Sequence, residues 1–324
     1  MDLLNLDLRL PKEPFTVFLL TFFLLSGRTV SSQSLQSFTE IYEPSGVIQT
    51  SNGAVLIVED EGKHPLFISA VIATADGLNL EPHRITATSF AARDLEGIAE
   101  GKAGEIFLIT SHSMQKKGKQ KNKRQQLVKF DLEEQQISAM QSFDQLLSHI
   151  QEHLEKRLQL HQKATKEVNI EGLAFTATKN ELLVGLRAPL YDDKAILLNL
   201  VNPYDLFHKQ QEPVFSDQIL LLDLNGAGIR AIDYDKHLGR YLIAGEVHNK
   251  KGKLHSRVWT WDGAAKSKPA KLRLPKMKGI KNIEGITSIH KRESHYLLLV
   301  CDNGDREKKK GGNYVLLNIG ELSL

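Results

Sequence analysis

Five stretches of this chain begin alike, and the residues after each of them also rhyme. Glu43-Pro44-Ser45-Gly46-Val47, Asp94-Leu95-Glu96-Gly97-Ile98, Asn169-Ile170-Glu171-Gly172-Leu173, Gly228-Ile229-Arg230-Ala231-Ile232 and Asn282-Ile283-Glu284-Gly285-Ile286 share one order. A polar or small residue comes first, then an apolar residue or Pro, a polar residue, Gly or Ala, and a β-branched residue or Leu. An apolar run ending in polar groups comes after each: Val55–Glu61, Ile106–His112, Leu182–Arg187, Tyr241–Glu246 and Tyr296–Asp302. A strand–turn–strand unit recurring every 50 to 75 residues or so is the signature of an all-β fold, the β-propeller.

Within a repeat the pattern gives four strands. In the fourth they fall at Ile229–Tyr234, Arg240–Ala244, Ser256–Trp261 and Ala270–Leu274, with turns at His237-Leu238-Gly239 and Asp262-Gly263. The second repeat adds Gln126–Leu132 and Gln136–Gln141 as its outer strands. The last repeat ends at Asn318-Ile319, one strand short, while the β-prone segment Ser37–Tyr42 precedes the first repeat unassigned. That segment fits as the missing outer strand, so that the two ends of the chain close the ring and leave no open edge. Five four-stranded blades account for the chain; six would need a further unit. Ser142–Glu167 reads as an amphipathic helical insertion between the second and third repeats, with Phe143, Leu146, Leu147, Ile150, Leu154 and Leu158 three or four apart. Ser142 and Gln145 can form a capping box at its start. Asn202-Pro203 opens a short helix through His208.

The repeats run almost to the end of the 324 residues, so one domain over 33–324 is expected. The 42 basic and 39 acidic residues are too balanced to call for nucleic acid, and a monomer is expected. Residues 1–32 stand apart. Arg9 and Lys12 precede the apolar run Phe15–Leu25, and small or polar residues continue to Ser32. That is the order of a secretory signal peptide, cleaved near Ser32. The run is too short to span a bilayer of roughly 30 Å, so no stable membrane span is expected after cleavage, and the location is periplasmic or secreted. Cys301, the only cysteine, ends an apolar run and reads as a buried side chain. The run Lys116–Arg124 reads as a basic hairpin loop.

Adjacent strands are antiparallel, so strand-one starts and strand-two ends share one rim of each sheet. In a propeller, strand one lines the channel. The repeated polar residues therefore converge on one channel mouth, among them Asp60, Asp94, Glu96, His112, Glu171, Arg187, Arg230, Glu284 and Asp302. Carboxylates around one axis repel unless protonated or held by a cation. Glu96, Glu171 and Glu284 occupy equivalent places, which marks them as ligands for calcium or another hard divalent cation. Zinc is disfavoured, because His112 is the only imidazole of the set. Arg187 and Arg230 can pair with the carboxylates and leave no metal site, or grip an anionic ligand together with His112, Asp60 and Asp302. There is no nucleophile elbow, phosphate-binding Gly loop or His-Glu-x-x-His helix, so catalytic residues are left unassigned.

The ordered series Glu-Pro-Ser-Gly, Val58-Glu59-Asp60-Glu61, Asp-Leu-Glu-Gly-Ile-Ala, Thr-Ser-His-Ser, Ile-Glu-Gly-Leu-Ala and Gly185-Leu186-Arg187-Ala188-Pro189 resembles one bacterial group. It is the β-propeller family labelled domain of unknown function 3616, and the resemblance runs from about residue 42 to the end. It implies an exported propeller and brings no catalytic residues. A fainter likeness reaches the gluconolactonase and regucalcin propellers, where a Glu at the strand start binds a divalent metal, and the esterase-like phytase propellers. The first of these likenesses maps onto Glu96, Glu171 or Glu284, with Arg230 and Ala231 breaking the pattern in the fourth repeat. The expected function is therefore an exported propeller of unknown physiological role with a divalent-cation site, acting on or binding a small anionic ligand; if it is an enzyme, the expected reaction is metal-assisted hydrolysis of a small phosphoester or lactone. The alternative is a non-enzymatic propeller that binds a protein or glycan partner.

Overall fold

The computed structural model describes residues 34–322, apart from short stretches at 75–76, 87–89, 91, 114–121, 134–135, 250, 276–278 and 292. The leader expected over 1–32 and most of the basic loop at Lys116–Arg124 lie outside the described residues. A short strand β1 (Gln36–Ser37) comes first. The first blade is β2 (Pro44–Gln49), β3 (Val55–Glu59), β4 (Leu66–Thr74) and β5 (Gly77–Arg84). The second is β6 (Leu95–Glu100), β7 (Glu105–Thr110), β8 (Leu127–Glu133) and β9 (Gln136–Phe143). Two helices, α1 (Leu146–Leu158) and α2 (Gln162–Thr165), lead to the third blade: β10 (Asn169–Phe175), β11 (Leu182–Ala188), β12 (Ala195–Leu200) and β13 (Leu220–Leu222). Helix α3 (Asp205–His208) sits between its last two strands. The fourth blade is β14 (Ile229–Asp235), β15 (Arg240–His248), β16 (Leu254–Trp261) and β17 (Ala270–Leu272). The fifth takes β18 (Ile283–Lys291), β19 (Ser294–Cys301) and β20 (Asn313–Asn318) and completes itself with β1.

The five first strands stand side by side in a ring: β2 beside β6, β6 beside β10, then β14, β18 and back to β2. Each blade is sandwiched between two others, so both faces of its sheet are buried. That is why β3 and β19 read as continuous apolar runs rather than alternating ones. The apolar core divides accordingly. Leu56, Leu95 and Phe130 pack between the first and second blades, and Trp259, Trp261 and Leu183 between the third and fourth. Helix α1 buries Leu146, Leu147, Ile150 and Leu154 against the second and third blades. Each such side chain contributes about 1.5–3 kcal/mol on full burial, which anchors the insertion. Among the described residues no helix is long and apolar enough to cross a membrane.

The ring closes through both ends of the chain, as the missing strand suggests, but the paired residues are only the first of the expected segment and the one before it. Gln36 faces Tyr314 and Ser37 faces Asn313, whereas Phe38–Tyr42 departs from the ladder and keeps only backbone bonds from Phe38 N–H to Gly312 O at 2.9 Å and from Gly312 N–H to Ile41 O at 2.8 Å. The reason is apolar: Phe38 and Ile41 turn into the core between the fifth and first blades, and Phe38 stacks on Tyr314 at 4.6 Å. The expected capping box at Ser142 does not form either. Strand β9 runs on through Phe143, so Ser142 is a strand residue, and α1 begins after Gln145 without a side-chain cap.

Candidate functional site

One local irregularity recurs in all five blades. In the pairing of strands one and two, the register slips between Pro44 and Gly46, Leu95 and Gly97, Ile170 and Gly172, Ile229 and Ala231, and Ile283 and Gly285. Each slip is a β-bulge, and the residue left without a partner is Ser45, Glu96, Glu171, Arg230 or Glu284. A bulge bends its strand and re-aims the extra side chain. Here it singles out the polar residue of every repeat. The glycine that comes next lets the neighbouring blade approach closely. A Cβ at Gly97 would lie 2.8 Å from Leu173 Cβ, and one at Gly172 2.6 Å from Ile229 Cγ2.

Glu96, Glu171 and Glu284 accordingly line one axial void of about 10 Å³, closed around by Val47, Leu173 and Ile286. That is room for about one water-sized particle. The three carboxylates do not share one environment, because the arginine of the fourth repeat divides them. Arg230 is 7% exposed and donates from Nε to Glu284 Oε2 at 2.8 Å and from Nη1 to Glu246 Oε2 at 2.7 Å. Its Nη2 pairs with the other oxygen of Glu284. Glu171 Oε2 lies 3.0 Å from the same Nε, yet that N–H points at Glu284, so the contact is an ion pair without a hydrogen bond. Glu171 Oε1 instead accepts from Arg187 Nη1 at 2.7 Å. Burial works against the Arg187 charge, but Glu171 and Glu96 hold its pKa above the ordinary value.

Glu96 is left on the other side with Asp60 and Asp94. Carboxylate oxygens of these three, from the first two blades, lie within 4.8 Å of one another. Asp94 is satisfied: Arg124 Nη1 lies 2.8 Å from its Oδ2, and Ser111 Oγ donates to the same oxygen. Among the described residues Asp60 and Glu96 have no ion-pair partner, and Asp60 Oδ1 is buried without a hydrogen bond. Burial, then Asp94, Glu61 and Glu43, push Asp60 up to about 7, against the pull of Arg124. Glu96 keeps some accessible surface but is enclosed by the ring, and burial followed by Glu171, Asp60 and Asp94 raises it well above the carboxylate range.

Other expected site residues lie elsewhere at this rim. Asp302 is raised by burial and by Glu43, and its backbone oxygen accepts from Asn282 Nδ2 at 2.6 Å. His112 has no accessible surface. Its Nδ1 lies 2.8 Å from Thr110 O, its Nε2 has no partner among the described residues, and burial lowers its pKa to about 4. Arg124 belongs to the site but was not anticipated. The available signal was its place just before strand three, whose start shares the rim with strand-two ends. Cys301 is buried as expected, and burial pushes its thiol up to about 12.

The opposite mouth, where the first strands end, was not anticipated at all. It opens into a cavity of about 530 Å³ lined by Gln49, Phe175, Lys179, Asp233, Thr287 and His290. Asp233 Oδ2 accepts from Thr287 Oγ1 at 2.6 Å, and burial pushes Asp233 up to about 7 despite that bond. Among the described residues one further group of metal-capable side chains, Asp235, His290 and His295, lies at this end.

Five antiparallel four-stranded sheets around a carboxylate-rich axis define a five-bladed β-propeller. The chain belongs to the family described as protein of unknown function (DUF3616), whose profile matches residues 131–318. No curated protein matches it. Among solved structures it is similar to the major allergen Mala s 1 of Malassezia sympodialis, at TM-score 0.47 and 10% identity, covering 90% of this chain and 96% of that one. It is also similar to the PQQ-bound aldose sugar dehydrogenase of Streptomyces coelicolor, at TM-score 0.39 and 15% identity, covering 88% and 99%. A third is the α-L-arabinofuranosidase of Podospora anserina in complex with cellotriose, at TM-score 0.42 and 10% identity, covering 88% and 97%. At these scores the likenesses carry no argument about activity.

Proposed function

We propose that this is an exported propeller whose channel mouth takes a divalent cation on Asp60, Asp94 and Glu96 and presents a small anionic ligand to it. The observation that carries this reading is the approach of three carboxylates within 4.8 Å, with only Arg124, among the described residues, paired to any of them. An all-oxygen set suits calcium better than zinc. Glu171 and Glu284, expected as ligands from their repeat positions, are here engaged by Arg230, so they act as the neutralised far wall of the site. Arg124 and Arg187, 23% and 44% exposed, are the cations that can meet an anionic ligand beside the ion. A divalent ion there would supply polarisation of a phosphoryl or lactone oxygen, which suits hydrolysis of a small phosphoester or lactone.

Calcium titration of chelator-treated protein by calorimetry tests the site. One ion per chain should bind and raise the melting temperature, and Glu96→Gln should abolish both effects while the exposed Glu81→Gln leaves them intact. No binding up to millimolar calcium would refute the site. The export reading is checked by the N-terminus of the native soluble protein, expected near Gln33; an intact Met1 would overturn it.

A second reading, a non-enzymatic propeller that binds a protein or glycan partner, is favoured by the roomy cavity of about 530 Å³ at the opposite mouth. A panel of phosphoesters and lactones separates the two. Calcium-dependent turnover supports the hydrolase, and its absence with calcium bound supports the binding module.

A further inference from the structure

We propose that the opposite mouth carries a metal site of a different kind, for zinc or a similar first-row divalent ion, on Asp235, His290 and His295. It shares no residue with the carboxylate cluster and does not depend on the reading given for that cluster.

The placement comes from strand register. His290 and His295 face each other directly across the β18–β19 hairpin, so their rings stand side by side with centroids 4.0 Å apart. Strand β14 of the fourth blade ends beside them at Asp235, which has no accessible surface. The Asp235 carboxylate is held from its own chain: Oδ1 accepts the backbone N–H of His237 at 2.8 Å and of Leu238 at 3.0 Å. Its Oδ2 lies 2.7 Å from His295 Nε2, and its Oδ1 lies 3.7 Å from His290 Nε2. Gln49 of the first blade fixes the backbone of His290, accepting its N–H at 2.8 Å and donating to its carbonyl at 3.3 Å. The exposed ring of His237 stacks on His290 at 3.6 Å and covers it. Three blades thus converge to hold two imidazoles and one carboxylate.

Two features go beyond an ion pair between His295 and Asp235. First, among the described residues His290 Nε2 is buried without a hydrogen-bond partner, although it belongs to a group whose donors all lie within 4.8 Å of one another. A buried nitrogen without a partner beside a buried carboxylate calls for one, and a cation bound by both would supply it. Second, the spacings fit. Ligand bonds of about 2.0–2.1 Å in tetrahedral geometry put donor atoms about 3.4 Å apart; His295 Nε2 lies 2.7 Å from one oxygen of Asp235, His290 Nε2 lies 3.7 Å from the other, and one donor atom from each residue falls within 4.8 Å of the rest. Two nitrogens and one oxygen suit zinc-like ions rather than calcium or magnesium, and three protein ligands leave at least one position open. His290 also lines the cavity of about 530 Å³, which puts the ion at that cavity's edge. Binding displaces any proton on His295 Nε2, leaving that ring as the Nδ1–H tautomer and releasing the proton to solvent if the ring was charged.

The test is a zinc titration of chelator-treated full-length protein by calorimetry, with about 1 mM calcium present to occupy carboxylate-only sites. Cobalt(II) substitution is followed in parallel by visible absorption and by paramagnetically shifted imidazole N–H resonances. One zinc per chain is expected. His290→Gln and His295→Gln should each weaken binding at least ~100-fold and remove the cobalt band, while the exposed His83→Ala should leave both unchanged. Both imidazoles are partly exposed, at 23% and 22%, and melting in chelator checks that the variants fold. The cobalt spectra of the unsubstituted protein decide the matter without any variant. Shifted resonances from two histidines support the site. Their absence, no zinc bound at about 100 μM, or binding that survives either substitution overturns it.

Discussion

Replacing Asp60 by Asn should stabilise the metal-free protein, and should do so more strongly the higher the pH. The Asp60 carboxyl is raised from 3.8 to about 7 by burial and by Asp94, Glu61 and Glu43. A carboxyl raised on folding binds its proton more tightly in the native state. Its contribution to stability is therefore complete below 3.8 and is lost progressively as pH rises to about 7. The rise from 3.8 to about 7 amounts to about 4 kcal/mol lost above neutrality, at about 1.36 kcal/mol for each tenfold change in proton affinity, of which roughly 1.6 kcal/mol is already gone by pH 5. Asn has nearly the same shape and cannot ionise. The advantage of Asp60→Asn over the parent should thus grow by roughly 2–3 kcal/mol between pH 5 and pH 8, several degrees in melting temperature for a domain of this size. Urea denaturation and thermal melting in chelator at pH 4.5, 5, 6, 7 and 8 measure it. A gain that is flat with pH, or a loss of stability at pH 8, would refute the reasoning that Asp60 is an uncompensated buried carboxylate. Calcium should reverse the ranking, because it stabilises the parent and not the variant.

Arg230→Met should destabilise by about 3–5 kcal/mol, since it strands Glu284, Glu246 and Glu171 without their shared cation; a loss below about 1 kcal/mol in urea melts would show that the three carboxylates find other compensation. Gly172→Val should cost about 1–3 kcal/mol through overpacking against Ile229, and a neutral result would mean that the blades are not in close contact there. Phe38→Ala should cost about 3–5 kcal/mol, because it removes the stacked plug on Tyr314 beside the closing strand; hydrogen exchange of the Tyr314 amide should rise with it, and unchanged protection would argue against closure by β1.

The blade count, the strand order and the rim at which the acidic residues gather were legible because they depend on periodicity. A repeat copies one local rule, and the antiparallel hairpin carries strand-one starts and strand-two ends to the same edge wherever the rule recurs. The short closing strand was legible for the same reason, as a place left empty in the last repeat. Its register was not, because the burial of Phe38 and Ile41 pulls the chain off the sheet edge, and their pocket exists only once the fifth and first blades meet. The bulges at Glu96, Glu171, Arg230 and Glu284 shift pairing by one residue, which leaves no mark on composition. Nor does sequence say which carboxylates an arginine takes: Arg230 reaches Glu171, Glu246 and Glu284 across three blades. That choice separates Glu96 from the two glutamates that its repeat position equates with it, and gives it Asp60 and Asp94 instead. The cluster of Asp235, His290 and His295 obeys no repeated motif, since its side chains come from the ends of two blades and a residue of a third, Gln49, braces one of them. Periodicity is a property of one strand and can be read along it. Partner choice and desolvation are properties of the closed ring, because Coulomb interactions and burial depend on distances that only closure sets.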